Sequence, residues 1–335
     1  MEASRGLRDV SADVSVLDVL AAQVAAKGVG ADETINPFWQ NQLATFGAAF
    51  AREGAPTIEA LRALGYWELD LPAGERNKHR PDFKAAFDVA KAGDTSVTDK
   101  GLLGHAGGLA VLSRNRVLAP YLADMDRLRI ASRMSIARLW FYLHRLRRVR
   151  TQPGVFLEIG AGGGHFARLA IDAGMVSHYV TLDLPEMLLN SAATLAHKVP
   201  EAVVHAGGPL DLSAAGLHLW FLRPDQAGEI PSRSIDYAIN FNSFMEMDRD
   251  VRDGYFDLIY RTARRGAVFY NVNRMQRAMT MRDGSTYENN PLLYPYRPSD
   301  TVVEWCTDEM QDSNRARAFN APWKSFCISR IGILE

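Results

Sequence analysis

The sequence predicts an α/β fold, with a mainly parallel sheet that follows a helical region. The chain changes character near Pro153, where a mostly helical pattern gives way to short apolar runs alternating with helical segments. The stretch "VFLEIGAGGGHFARLAI", a strand that turns over glycines into a helix, opens this second part. Strands that alternate with helices pair in parallel through right-handed crossovers. We therefore divide the chain into a helical region over 1–150 and an α/β domain over 151–335.

Helical spacing of apolar residues defines the elements of the first part. It predicts helices over Val16–Lys27, Pro37–Arg52, Thr57–Leu64, Asp82–Ala92 and Asn115–Val149. Asn36 is expected to cap the second of these, with Pro37 at the first helical position. In the run "RLWFYLHRLRRVR", apolar residues form one face with arginines opposite, which predicts an amphipathic helix with a solvated side rather than a nucleic-acid surface.

Short apolar runs bounded by turn residues define the strands of the second part. Five strands are predicted in "VFLEI", "HYVTLDLP", "AVVHA", "SIDYAINF" and "GAVFYNVN", and two more in "TVVEWCTD" and "SFCISRIGIL". Helices are predicted after the first strand, over Glu186–His197 and from about Asp250 to Arg264.

Composition excludes several classes of protein. The chain of 335 residues has a formal net charge of −1, which gives no reason to expect a nucleic-acid partner. Acids interrupt the N-terminus where a signal peptide needs an apolar segment, and no run approaches the length of a membrane span. Its two cysteines make neither a disulfide framework nor a zinc site. We expect a cytoplasmic protein with no membrane partner, and the sequence leaves a homo-oligomer open.

The glycine cluster after the first strand discriminates between kinds of ligand site. A phosphate-binding P-loop needs a Lys followed by Ser or Thr after its last glycine, but His165 and Phe166 follow Gly164. A dinucleotide fingerprint starting at Gly160 needs a small residue at position 165, so that helix and strand can pack closely. The imidazole of His165 therefore disfavours NAD and FAD.

A different spacing fits, because an acid and three glycines alternate as Glu158-x-Gly160-x-Gly162-x-Gly164. This segment resembles the first motif of the class I S-adenosylmethionine-dependent methyltransferases, and the resemblance implies S-adenosylmethionine as the cofactor. Glycines let the backbone approach such a ligand closely. The following helix offers free amides to its carboxylate, and Glu158 can hold its cationic end. His165, at the helix start, is expected near the cofactor.

The next strand supplies a second acid. In "YVTLDLPE", Asp183 stands at the carboxyl end of the strand, about twenty residues beyond the loop, where a carboxylate can accept both ribose hydroxyls. In related methyltransferases an acid at this position binds the ribose. The alternative, that Asp183 caps the helix beginning near Pro185, does not exclude ribose binding. Leu184, Asn240 and Phe241 complete the residues expected at the cofactor.

A narrower resemblance lies in "SIDYAINFNSFMEMDRDVRDGYFDLIYRTARRGAVFYNVNR". Together with the two motifs above, it looks like the bacterial sugar O-methyltransferase family. The residues that carry this resemblance are Asn240, Ser243, Glu246, Met247, Tyr255, Phe256, Phe269, Tyr270 and Asn273. It implies a Rossmann-like class I methyltransferase sheet, mainly parallel with an antiparallel last strand, and a sugar hydroxyl as the methyl acceptor. The long stretch Gly207–Ser234 departs from the family pattern.

Methyl transfer to a sugar hydroxyl calls for a positioned base, because the hydroxyl must lose its proton. Glu246, after the fourth predicted strand, is the first candidate for this base. The alternative is that its carboxylate only lies at a helix N-terminus, where the helix dipole stabilises a negative charge. Asn242 leaves the same strand on the side where α/β sheets bind ligands. His105, in the glycine-rich "LLGHAGG", is a further catalytic candidate on a loop that could cover the site.

The acceptor is expected at the end of the fifth predicted strand. Asn273 and Arg274 end that strand, and Tyr294 lies in "PLLYPYRPSD", a loop whose tyrosines could stack on a sugar. No carboxylate cluster stands there, so no metal is expected. The predicted acceptor is a sugar hydroxyl, free, nucleotide-linked or in a glycoconjugate. A phenolic or other small-molecule acceptor, a non-catalytic S-adenosylmethionine-binding module and, less favoured, a nicotinamide oxidoreductase remain alternatives.

Overall fold

In the computed structural model of the chain, the described residues are 11–27, 36, 37, 39, 40, 43, 134–199, 201–275, 277–281, 283–308 and 326–335. The predicted helices Thr57–Leu64 and Asp82–Ala92 lie outside these residues, as do His105 and the first part of the predicted helix Asn115–Val149. None of the described helices is long and apolar enough to cross a membrane.

Five α-helices are described. They are α1 (Ser11–Lys27), α2 (Met134–Val149), α3 (His165–Asp172), α4 (Pro185–Lys198) and α5 (Arg249–Thr262). Asn36 and Pro37 behave as predicted: Pro37 is helical, and the Asn36 side chain accepts a hydrogen bond from the backbone N–H of Trp39 at 3.2 Å. Such a bond satisfies one of the amides that the first turn of a helix leaves open.

Ten strands are described, eight of them in one sheet. They are β1 (Gly154–Ile159), β2 (Val176–Leu182), β3 (Val203–Ala206), β4 (His218–Leu222), β5 (Ile235–Phe241), β6 (Ala263–Arg274), β7 (Arg277–Thr280), β8 (Thr286–Asn289), β9 (Thr301–Thr307) and β10 (Cys327–Ile333). The large sheet has the order β3-β4-β2-β1-β5-β6-β10-β9, while β7 and β8 form a separate antiparallel hairpin.

Within the large sheet, neighbouring strands from β3 to β6 run parallel and β10 runs against both β6 and β9. All six residues of β1 are buried, as expected of a strand covered on both faces. This topology confirms the predicted fold class, an α/β fold with a mainly parallel sheet and an antiparallel strand near the C-terminus. The last strand in the chain, β10, lies inside the sheet, and β9 forms its edge.

Two apolar layers cover the sheet. On one face, α1 to α4 pack around a core that includes Phe156, whose ring stacks on Tyr237 with centroids 4.2 Å apart and on Tyr179 at 5.5 Å. On the other face, the core contains Phe256 of α5 together with Trp220 of β4. Helices α1 and α2, which precede the α/β domain, therefore share a core with α3 and α4.

The amphipathic character predicted for the basic helix is found in α2, except that Arg145, expected on the solvated face, is buried and pairs with Glu304. Tyr142, Leu143 and Leu146 are buried, whereas Arg147 and Arg148 at its end are exposed. The apolar stripe of α2 belongs to the same core as α3. The helix is therefore held by packing on one face, and its terminal arginines are solvated.

Sequence reasoning missed β4 and the hairpin of β7 and β8. β4 lies in the stretch Gly207–Ser234 and inserts between β2 and β3, so β3 becomes the edge of the sheet rather than the neighbour of β2. The signal for β4 is the five-residue run "HLWFL", whose last four residues are buried. The strand predicted as the fourth is β5 in the structure, and the one predicted as the fifth is β6.

Candidate functional site

The order of the strands places the candidate site. After β1, the strands β2, β3 and β4 all lie on one side of β1 in the sheet, whereas β5 pairs with β1 on the other side. Ligands of open α/β sheets bind beyond the carboxyl ends of the strands where this reversal occurs. The segments that follow β1, β2, β5 and β6 meet at this edge and carry most of the residues singled out in the sequence.

The glycine loop after β1 is held in a conformation that favours glycine. Gly160, Gly162 and Gly164 all have positive φ, at 75°, 56° and 71°. A Cβ atom on Gly160 would collide with the side chain of Ser243, whereas one on Gly162 would meet no heavy atom of the described residues within 4 Å. The loop therefore packs tightly against the segment after β5 at its start.

Asp183 is tied to this loop. Its Oδ2 accepts a hydrogen bond from the backbone N–H of Gly162 at 3.1 Å, and its Oδ1 accepts one from Leu184 N–H at 2.8 Å. Burial raises the pKa of the Asp183 carboxyl to about 7, while these backbone donors lower it. Asp183 is not the capping residue of α4, because that position belongs to Leu184, with Pro185 opening the helix.

Glu158 lies beneath the loop at the end of β1. It is buried, and its Oε2 accepts a hydrogen bond from the Tyr179 hydroxyl at 2.7 Å. Burial raises the pKa of Glu158 to about 7; the Tyr179 hydroxyl lowers it, and the neighbouring Asp183 charge raises it further. Sequence reasoning missed Tyr179, which reaches Glu158 from the adjacent strand β2.

His165 opens α3, and its ring lies against the glycine loop. A Cβ atom on Gly163 would lie 2.8 Å from the His165 Nε2 atom, so the absence of a side chain at 163 makes room for the imidazole. The next residue, Phe166, is buried and meets the ring of Phe241 edge-on, with centroids 4.9 Å apart. The start of α3 and the end of β5 are thus fixed to one another.

Two predicted ligand contacts, Asn240 and Asn273, are fully buried. The Asn240 Nδ2 atom donates to the Ile159 carbonyl at 2.9 Å, and its Oδ1 accepts from Asn273 Nδ2 at 2.9 Å. Asn273 Oδ1 accepts from the backbone N–H of Met245 at 3.0 Å. In this structure both side chains bond to protein groups, and their direct contact with a ligand stays a prediction.

Asn242 and Glu246 lie in the segment that follows β5. Asn242 has a left-handed backbone with φ of 66°, and its N–H donates to the Val272 carbonyl at 2.8 Å. Glu246 ends a short 3₁₀ turn over Phe244–Glu246 and is partly exposed. It precedes α5, whose N-cap is Asp248, so Glu246 is not part of the helix N-terminus.

The Glu246 turn is also fixed from outside the α/β domain. The Asn36 Nδ2 atom donates to the Glu246 carbonyl at 2.7 Å, and Asn36 is buried. The same side chain therefore caps a helix of the N-terminal region and holds the backbone of a candidate catalytic residue. Sequence reasoning assigned Asn36 the first role and missed the second, which depends on a contact across 210 residues of chain.

Arg274 and Tyr294, two residues predicted to bind the acceptor, both form hydrogen bonds with Asn289. The Arg274 N–H donates to the sulfur of Met245 at 3.4 Å, and the Arg274 carbonyl accepts from Asn289 Nδ2 at 2.9 Å. The Tyr294 hydroxyl donates to Asn289 Oδ1 at 2.8 Å, and its ring is buried. Tyr294 thus packs inside the protein in this structure, and its stacking on a sugar stays a prediction.

A cavity of about 850 Å³ lies between α5 and the hairpin of β7 and β8. It is lined by Asp248, Arg249, Asp250, Asp253, Met281, Asp283, Ser285, Thr286 and Tyr287. Asp248, the first of these lining residues in the chain, lies two residues after Glu246. Among the described residues, no group of three or more His, Cys, Asp or Glu side chains is arranged to hold a metal ion.

No protein-family model and no curated protein sequence matches the chain. Among solved structures, the chain is similar to a Burkholderia thailandensis 1,6-didemethyltoxoflavin-N1-methyltransferase with bound 1,6-didemethyltoxoflavin and S-adenosylhomocysteine (13% identity, 67% of this chain, 88% of that chain, TM-score 0.41). It is also similar to a SAM-dependent methyltransferase from Aquifex aeolicus (12% identity, 57% of this chain, 88% of that chain, TM-score 0.36). A third is a phosphoethanolamine N-methyltransferase of Haemonchus contortus in complex with phosphomonomethylethanolamine and S-adenosylhomocysteine (15% identity, 58% of this chain, 52% of that chain, TM-score 0.39). Because these TM-scores are low, the fold is assigned from the strand order of this chain itself.

Proposed function

We propose that this chain is an S-adenosylmethionine-dependent methyltransferase. The observation that carries the proposal is the junction of two strand ends, where the N–H of Gly162 donates to the Asp183 carboxylate at 3.1 Å. It brings the glycine loop, which has no described neighbour within 4 Å of a Cβ position at Gly162, next to an acid that can accept ribose hydroxyls. A nicotinamide cofactor is disfavoured because His165 occupies the position where dinucleotide binding needs a small residue.

The residues present suit a cationic, hydroxyl-bearing cofactor. When bound, S-adenosylmethionine supplies a methyl group activated by a sulfonium centre. Asp183 would accept from the ribose, and Glu158 would hold the cationic methionine end directly or through water. The first amides of α3 would donate to its carboxylate. A positively charged ligand stabilises the ionised forms of both acids, each of which has a pKa of about 7 in the protein alone.

A sugar hydroxyl is the proposed acceptor, and Glu246 the proposed base. Glu246 would take the proton that the hydroxyl loses as its oxygen forms the bond to the methyl carbon. Asn242, on the same segment, would orient the acceptor. The support is positional: the turn that carries Glu246 is bonded to β6 through Asn273 and to the N-terminal region through Asn36. These bonds hold the turn in place, and a base must keep a fixed position relative to the hydroxyl whose proton it takes.

The cavity beside α5 supports a hydroxyl-rich acceptor. Its volume of about 850 Å³ exceeds what one small sugar ring needs, and its lining includes hydroxyl side chains such as Ser285 and four aspartates against one arginine, Arg249, which pairs with Asp253. Carboxylates accept hydrogen bonds from neutral polyols but repel phosphate groups. We therefore favour a free or glycosidically linked sugar over a nucleotide-linked one, for which Arg274 would be the phosphate contact.

The helical region over 1–150 is proposed to cover the site. Its support is the hydrogen bond from Asn36 to the Glu246 carbonyl, which joins one end of an N-terminal helix to the turn that carries the proposed base. A cover of this kind would exclude water from the reacting groups and help to select the acceptor. The proposed lid role of His105 concerns a segment outside the described residues.

The test uses S-adenosylmethionine labelled in its methyl group and a panel of sugars, glycosides and phenols. Transfer of label to a sugar, with release of S-adenosylhomocysteine, would support the proposal. Transfer to phenols alone would favour the small-molecule alternative. Saturable binding of S-adenosylhomocysteine without transfer to any acceptor would favour a non-catalytic binding module.

A further inference from the structure

Buried amide side chains connect the two halves of the candidate site. Asn240 is completely buried and uses both ends of its amide group. Its Nδ2 atom donates to the Ile159 carbonyl at 2.9 Å and to the Ser243 hydroxyl. Its Oδ1 atom accepts from Asn273 Nδ2 at 2.9 Å and from Phe244 N–H at 3.3 Å. Two donors and two acceptor sites are the full capacity of an amide side chain.

Asn273 continues this connection to the turn that carries Glu246. It is also completely buried; one end of its amide meets Asn240, and the other accepts from Met245 N–H at 3.0 Å. Met245 directly precedes Glu246 in the 3₁₀ turn. The position of the Glu246 backbone therefore depends on an amide carried by β6.

The other end of the connection is the start of the glycine loop. Ser243 Oγ donates to the Ile159 carbonyl at 3.0 Å, one residue before Gly160. A Cβ atom on Gly160 would collide with the same Ser243 side chain, so the loop and the turn are in contact there. Asn240 and Ser243 thus both bind the carbonyl from which the glycine loop departs.

We propose that Asn240 and Asn273 are positioning residues, which set the glycine loop and the Glu246 turn at a fixed separation. The proposal rests on the proposed function, in which the loop holds the methyl donor and the turn carries the base. Because in-line transfer tolerates little displacement, two loops from different strands need a common support. The amides of these two residues form that support through their hydrogen bonds to Ile159, to Met245 and to each other.

Matched substitutions separate positioning from simple stability. Asn240→Asp and Asn273→Asp keep the shape of the side chain but replace an amide donor with an acceptor. Asn271→Asp is the control, because Asn271 is equally buried, lies two residues from Asn273 on the same strand, and donates to the Tyr296 hydroxyl at 2.7 Å instead. Ser243→Ala is a milder variant should the Asn240 change prevent folding.

Three quantities would be measured on the full chain: the thermal midpoint, S-adenosylhomocysteine affinity by calorimetry, and amide hydrogen exchange of residues 160–164. We expect all three Asp variants to lower the midpoint. The Asn240→Asp change should weaken S-adenosylhomocysteine binding about tenfold and Ser243→Ala about threefold, while Asn271→Asp changes it less than about twofold. Exchange in the glycine loop should accelerate in the Asn240 and Asn273 variants and not in the control.

Equal losses of affinity in the Asn240 and Asn271 variants, or unchanged exchange in the glycine loop of the Asn240 variant, would overturn the positioning role. Failure of the unsubstituted chain to bind S-adenosylhomocysteine would instead overturn the proposed function. The exchange data would still decide in that case, because acceleration confined to the Asn240 and Asn273 variants supports the amide support of the loop independently of any ligand.

Discussion

The backbone N–H of Gly162 donates to the carboxylate of Asp183 at 3.1 Å, which joins the loop after β1 to the end of β2. The bond holds Asp183 beside Gly162, where an added Cβ atom would meet no atom of the described part of the chain within 4 Å. A carboxylate oxygen can accept more than one hydrogen bond. Asp183 can therefore support the loop and still accept from a ligand hydroxyl.

Replacement of Asp183 should weaken cofactor binding. We expect Asp183→Ala to lower S-adenosylhomocysteine affinity by at least about tenfold, because hydrogen bonds to a charged group are typically worth about 1.5–3 kcal/mol each. Calorimetric titration measures this effect. Asp172→Asn is the control, since Asp172 is exposed at the end of α3 and pairs with Arg168. Unchanged affinity in the Asp183 variant would remove it from the cofactor site.

Replacement of Glu246 should affect turnover and spare cofactor binding. We expect Glu246→Gln to reduce label transfer about a hundredfold or more, in the range typical of a lost general base, with S-adenosylhomocysteine affinity unchanged. Glu229→Gln, at an exposed glutamate of the 3₁₀ turn Pro224–Glu229, serves as the control. Normal transfer by the Glu246 variant would exclude it as the base.

The acids of the site should make cofactor affinity depend on pH. Burial raises the pKa of both Glu158 and Asp183 to about 7, so each binds a proton in the ligand-free protein below that pH. A cationic ligand that pairs with an ionised carboxylate should therefore bind more tightly as pH rises from 6 to 8. Titrations with S-adenosylmethionine at several pH values measure this trend. A flat profile in that interval would contradict the proposed contact with Glu158.

Glu158 should also make stability without ligand depend on pH. Its pKa is about 7 when folded and 4.5 in its ordinary state, so the folded protein retains a proton that the unfolded chain has lost. The resulting stabilisation, on the order of 3 kcal/mol, is complete below about pH 4.5 and is lost as pH rises through 7. We expect the thermal midpoint of wild type to fall relative to that of Glu158→Gln as pH rises from about 4.5 through 7. Tyr179→Phe should move the transition to higher pH, because the Tyr179 hydroxyl lowers the Glu158 pKa.

A stack of imidazoles at the β3 edge should oppose this trend. His205 Nε2 lies 3.0 Å from His218 Nδ1, and both rings stack with Trp220. Burial, followed by the neighbouring His218, lowers the pKa of both His178 and His205. Their contribution to stability is present above about pH 6.5 and is lost as pH falls through the lowered values.

The measurement for this stack is the thermal midpoint of His205→Phe against wild type between pH 5 and 7.5. The phenyl ring can retain the stacking on Trp220 but cannot titrate. We expect the variant to lose less stability than wild type on acidification. A variant at Asp211 serves as the control for the effect of a neighbouring charge. Asp211 bonds to Ser213 in the adjoining loop and interacts with His178. A parallel decline in both proteins would contradict the role of His205.

Much of this fold follows from local sequence. The strands of "VFLEI" and "SIDYAINF", the glycine turn and the helix start at Pro185 each carry a short-range signal, and the structure confirms them. β4 escaped prediction because a five-residue apolar run in a long irregular stretch does not reveal its partners. Its insertion between β2 and β3 is decided by pairing across the sheet.

The site was harder to predict than the fold. Asn240 and Asn273 stand at strand ends, where asparagine is typical of ligand contacts, yet both amides are buried among protein groups. Their burial results from the packing of β5 beside β6 and of the following turn over both, which no local pattern encodes. The contact from Asn36 to Glu246 likewise joins distant parts of the chain.

The most direct test of the central claim is a calorimetric titration of the full chain with S-adenosylhomocysteine, with NADH titrated in parallel. We predict saturable one-site binding of S-adenosylhomocysteine that Asp183→Ala weakens at least about tenfold, and no binding of NADH. Tight NADH binding together with no response to S-adenosylhomocysteine would contradict the account.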